Sequence, residues 1–206
     1  MANAIVRFFV QVFVERPARR LGAEGLIPRL DAAREAVPAL LAGADDASAR
    51  AQLRHVIGIE RWGQRRLRVA LGDAAFEADA HQPYLPPEGE ALPALLESFA
   101  AVRADTVALA RRVADEGRGA ERVEHNALGP VSALGWLRYL QLHGEFELKR
   151  VKRALTLVAT TLGATARPHP AAVHHVSSSA SSASRTSAWR SATAGRRANQ
   201  VRCRLA

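Results

Sequence analysis

Cysteine is nearly absent: the 206 residues contain a single one, Cys203. One thiol excludes an intramolecular disulfide and any zinc site built on cysteine, and it fits the reducing cytoplasm. No internal repeat is visible. No Ser-His-Asp order, glycine-rich phosphate loop or Cys-x-x-Cys pair occurs, so those chemistries have no support. The opening stretch, MANAIVRFFVQVFVERPARR, lacks a basic region before its apolar run and carries Arg7 and Gln11 inside it. A secretory signal is therefore not expected, and the run is too short to span a bilayer.

Acidic residues are missing from one part of the chain, and that decides how the charge is read. The formal net charge is +9, a value that on its own suggests nucleic acid. All 20 Asp and Glu, and 22 of the 29 Lys and Arg, fall within residues 1–166. That part is close to neutral. Residues 167–206 hold the other 7 basic residues, all arginine, with eight serines and nine alanines. Such a segment cannot bury enough apolar surface to offset its ordering entropy, so disorder is expected. It reads as a solvated tail, as the product of a shifted frame in a GC-rich gene, or as a basic arm for nucleic acid or a membrane surface. The first two are favoured over the arm.

Elsewhere apolar residues recur at helical spacing. Ile5, Phe8, Phe9, Val12 and Phe13 predict an N-terminal helix that docks on the domain, with interfacial membrane contact as the alternative. Four more helices are predicted, over about 26–41, 47–71, 91–114 and 131–162. Pro28 suits a first-turn position and Pro38 should bend or shorten its helix. In the third of the four, Leu92, Leu95, Leu96, Phe99, Val102, Thr106, Leu109, Ala110 and Val113 form the inward stripe, with Arg103, Asp105 and Arg111 outside it. Residues 72–90 and 115–130 read as long connections, and nothing reads as a strand. The expected fold is all-α: a four-helix bundle over 25–166, an N-terminal helical extension over 1–24 and a disordered tail over 167–206.

Two stripes carry polar residues where apolar ones are expected. In the last helix Trp136, Leu140, His143, Glu147, Val151, Ala154 and Val158 fall on one face. In the second, Gln52, His55, Val56, Ile59 and Trp62 do the same. An inward carboxylate costs several kcal/mol unless it is paired, protonated or bound to a cation. Two histidines and a carboxylate from facing helices can hold a divalent metal with open positions. The alternative is two satisfied core histidines and a surface ion pair.

LRHVIGIERWGQRRLRVALG resembles the second helix of the DinB-like, YfiT-like superfamily of metalloenzymes, and LGWLRYLQLHGEFELKR resembles its last helix. The likeness covers about residues 25–163. By position it implies His55 as the first ligand and His143 as the second. Glu147 stands where the usual His-x-x-x-His pattern has histidine, a departure that shifts preference toward harder metals. The resemblance implies a four-helix bundle holding zinc, nickel, iron or manganese. It also implies thiol-dependent transfer, in which a low-molecular-weight thiol is activated toward a small-molecule substrate, and pairing into a homodimer. Glu60, His81, Tyr84 and His125 (with Asn126) are candidates to support the ligands, carry a proton or touch substrate, or else are turn and surface residues. The competing function is a non-catalytic helical bundle that has lost its metal and acts through interactions.

Overall fold

A computed structural model describes residues 4–41 and 46–165, with side chains as far as residue 150 apart from position 148. The expectations for residues 167–206 lie outside the described residues, as do those for the side chains of Val151, Ala154 and Val158.

The fold is mostly helical. Helix α1 (Ala4–Phe9) runs into a π-helical turn over Val10–Glu15 and then α2 (Arg16–Leu41). Three further long helices follow, α3 (Ala47–Leu71), α4 (Leu92–Asp115) and α5 (Ala133–Thr165). Local chemistry sets the ends of α3. The Asp46 carboxylate accepts the Ala49 N–H at 2.7 Å, and Gly72 takes a left-handed φ of 84° that reverses the chain. Pro93 sits in the first turn of α4, where its missing N–H is harmless. Pro28 and Pro38 both lie inside α2, whose break falls instead at Gly22, with φ 63°. Pro28 is therefore not a first-turn residue: the helix extends upstream of Leu26 to this glycine.

Helices α2 and α3 each pack against both α4 and α5. Their interior divides into two apolar clusters. One holds Val37, Leu53, Ile57, Leu95 and Phe99, and the other holds Leu26, Trp62, Leu67, Ala110, Trp136 and Leu137. A buried polar layer lies between them along α3 and α4. There the Glu60 carboxylate meets the Arg103 guanidinium at 2.7 Å and accepts from the Thr106 hydroxyl at 2.7 Å. Gln64 donates to Thr106 at 3.0 Å and to the Val102 carbonyl at 2.6 Å. Arg103 is thus not outside the α4 stripe as its charge suggests. It is 1% exposed, because a carboxylate on α3 waits at its own level. Burial raises the Glu60 pKa, against the opposing pull of Arg103 and Thr106.

Two further expectations fail. Residues 115–130 are not all connection: β1 (Arg122–His125) and β2 (Gly129–Ser132) form an antiparallel hairpin with Val123 opposite Val131. Four-residue strands carry too few alternations to show a period of two, and the hairpin's stability comes from burying those two valines on the helices. The N-terminal segment also docks by a different face. Val10, Val14 and Ala18 are buried, whereas Ile5, Phe8, Phe9 and Phe13 are 72%, 66%, 58% and 49% exposed. The wide i→i+5 turn unwinds the segment, so residues four apart stay on the inner side and the phenylalanines are left outward.

Glu15, at the end of the π turn, fastens this segment to α5. Its buried carboxylate accepts from the Ser132 N–H at 2.8 Å and from the Ser132 hydroxyl at 2.9 Å. That hydroxyl in turn accepts the Gly135 N–H at 3.0 Å, capping the start of α5.

Candidate metal centre

The arrangement starts from how closely α3 and α5 approach. Gly63 has no side chain, and a Cβ placed there would meet the Leu140 side chain at 2.6 Å. This contact brings the α3 face that carries Gln52 and His55 against the α5 face that carries His143 and Glu147. His55, His143 and Glu147 each present one ligand atom within 4.8 Å of the other two, all from half-buried positions. The rings of His55 and His143 are 5.1 Å apart between centroids.

The electrostatics suit ligation. Burial, followed by the neighbouring His55, lowers His143 to about 4. Burial and then the nearby His81 lower His55 as well. Both imidazoles are therefore neutral at neutral pH, the form that offers a lone pair to a cation. Among the described residues His143 Nδ1 is buried without a hydrogen-bond partner, a costly state for a polar atom that a bound cation would relieve. Gln52 donates to Glu147 Oε2 at 2.5 Å and Arg150 donates to the same oxygen at 3.0 Å. Arg150 also reaches Oε1, at 3.4 Å, so both carboxylate oxygens are engaged, Oε2 by the two shorter bonds; such partners orient a ligating carboxylate. Two imidazole nitrogens and a carboxylate oxygen are a donor set that fits zinc, nickel, iron or manganese.

The other candidates are dispersed. His81 stands edge-on to His55, with centroids 5.1 Å apart, so it belongs to the same cluster of rings. Tyr84 points elsewhere, its hydroxyl donating to Asp79. Glu60 is buried in the polar layer with Arg103 and is not an exposed helix residue. His125 packs against Trp136, Trp62 and Tyr139, and its Nδ1 accepts the Ala127 and Leu128 N–H groups at 3.1 and 3.2 Å. Those bonds close the hairpin loop. Burial, and next the charge of Arg66, lower His125 to about 4.

Asp79 organises the long connection beside the site. It accepts from Trp62 Nε1 at 3.1 Å, from Arg66 at 2.5 Å and from the Tyr84 hydroxyl, and its carbonyl accepts from Asn126. Burial pushes its pKa up, but the Tyr84 and Trp62 hydrogen bonds and the Arg66 charge outweigh that and hold it low. Nothing local marks this aspartate in a loop of alanines and acids. Gln52 did carry a signal: it stands one turn before His55 on the same stripe.

Among the described residues, no helix is long and apolar enough to cross a membrane. No protein-family model matches the chain, no curated protein matches it significantly, and no solved structure does.

Proposed function

We propose that this chain is a metal-dependent enzyme of DinB-like four-helix architecture. In this proposal His55, His143 and Glu147 hold a divalent cation, and a low-molecular-weight thiol is the group made reactive. The observation that carries it is the convergence of three ligand-type atoms from two separate helices within 4.8 Å. The packing of α2 and α3 on both α4 and α5 supports the bundle, and the sequence resemblance supports the chemistry.

A cation bound there supplies Lewis acidity that lowers the pKa of a thiol or water beside it. The chain's own groups do the rest. The two neutral imidazoles present lone pairs without first losing a proton. Gln52 and Arg150 hold the Glu147 carboxylate in place by hydrogen bonds. His81, edge-on to the His55 ring, is the group we assign to take up a proton beside the site. Burial, with the Glu147 charge behind it, pushes Tyr139 up to about 12, so its hydroxyl stays protonated beside His143. The Tyr84 hydroxyl is held by Asp79.

The competing function is a helical protein that keeps the fold and works by interaction alone. One observation favours it: Glu147 already has two partners, Gln52 and Arg150, without any cation. Metal analysis of the purified protein separates the two. A stoichiometric divalent metal is expected in the wild type and its loss in His143→Ala and His55→Ala. Equal metal content in all three rejects the site, and a metallated protein with no thiol-dependent turnover rejects the chemistry while keeping the site.

A further inference from the structure

The N-terminal segment presents an apolar surface that the other described residues leave exposed. Ile5, Phe8, Phe9 and Phe13 are each about half or more exposed, and the Phe9 and Phe13 rings lie 4.6 Å apart. Large apolar side chains seldom cluster outward without a partner surface. Along the segment itself, over residues 4–23, the exposed charge has one sign. Arg7, Arg16, Arg19 and Arg20 are all exposed, and the only acid in residues 4–23, Glu15, is buried on Ser132. Spacing aligns the two features. Ile5, Phe9 and Phe13 are four apart, and Phe8, Val12, Arg16 and Arg20 form the adjoining line at the same spacing.

We infer that this segment is a docking surface for an anionic lipid bilayer, with Phe8, Phe9 and Phe13 inserting at the headgroup boundary and Arg16 and Arg20 lying on the phosphates. Phenylalanine on one face and arginine alongside is the chemistry of an interfacial helix. A second copy of this chain would bring the arginines of two segments toward each other, and an apolar protein partner would have no use for the basic margin. The charge complementarity therefore selects an anionic membrane surface. The inner side of the segment is already committed to the domain through Val10, Val14 and Ala18. Docking therefore needs no rearrangement and would bring the whole domain to the surface. It is independent of whether the metal centre is occupied.

The test is co-sedimentation of the full chain with vesicles of phosphatidylcholine alone or of phosphatidylcholine mixed with phosphatidylglycerol. The wild type is expected to pellet with the mixed vesicles and to be released by salt. Phe8→Ser/Phe9→Ser/Phe13→Ser should remain in the supernatant with both kinds of vesicle. Arg16→Gln/Arg20→Gln should bind mixed vesicles more weakly by about fivefold per arginine. Because the altered side chains are exposed, thermal unfolding should be unchanged in both variants, which separates lost docking from lost folding. A wild type that pellets with neither vesicle overturns the inference. So does a triple serine variant that binds as the wild type does, since another part of the chain would then carry the binding. A wild type that is dimeric and vesicle-free, with a monomeric serine variant, makes the patch a self-association surface and likewise overturns it.

Discussion

At the scale of single residues, the side chains that matter are polar groups with few alternatives. Glu60 and Arg103 are 1% exposed and meet each other across α3 and α4. Arg103→Met should destabilise the fold by about 3–5 kcal/mol, because it strands a buried carboxylate. Glu60→Gln/Arg103→Met should recover part of that loss, since neither charge then remains. Urea denaturation of the three variants checks this, and strictly additive losses would show that the pair is not coupled. The pair was not legible in the sequence. Arg103 sits next to Val102 on α4, and a one-dimensional stripe has no way to show that a carboxylate on another helix lies at its level. His55, His143 and Glu147 were legible for the opposite reason: each interrupts an apolar line, so the pattern itself marked them as inward. Their convergence depends on helix packing, which the sequence only suggested.

At the scale of elements, α3 and α5 approach closely at Gly63 and Leu140. A methyl group at position 63 would meet three Leu140 atoms at 3.0 Å or less. Overpacking of this kind costs about 1–3 kcal/mol, while alanine in place of glycine returns up to about 1 kcal/mol of helix propensity. Gly63→Ala is therefore expected to lower the unfolding free energy on balance, read by urea titration. It should also weaken metal binding, because the same helix spacing sets the distance between His55 and His143. A Gly63→Ala protein as stable as the wild type would mean that Leu140 yields freely. Helices α3, α4 and α5 were legible to within a few residues, α3 because the Asp46 loop and Gly72 mark its ends chemically, whereas α2 begins at Arg16 and not near residue 26. The hairpin was not. Val123 and Val131 are its only buried apolar pair, and four-residue strands give periodicity nothing to build on.

At the scale of the whole molecule, stability should fall on acidification. His125 drops from its ordinary 6.5 to about 4 in the folded chain, so the unfolded chain binds more protons between those values. Its contribution is complete above pH 6.5 and is lost as pH falls toward about 4, with a ceiling of about 3 kcal/mol. His55 and His143 shift in the same direction. Glu60, raised by burial, acts in the opposite sense and favours the fold at lower pH. In metal-free protein, His125→Asn keeps an acceptor for the Ala127 and Leu128 N–H groups but cannot be charged. Its unfolding free energy should therefore decline less steeply from pH 7 to 5 than that of the wild type. Parallel declines would remove His125 from the account. The near-neutral balance of residues 1–166 leaves these few buried groups, rather than global repulsion, to set the response.

The π-helical turn at Val10–Glu15 can also be understood as a length difference of one residue. An i→i+5 turn holds one residue more than the α-helical turn it replaces. Removing Gln11 while Val14 and Ala18 stay seated would advance everything upstream by one place in register. Ile5 and Phe9 would then occupy the positions of Val6 and Val10, and part of the outward aromatic surface would turn toward the core. A single-codon deletion would thus decide whether this segment faces the protein or its surroundings.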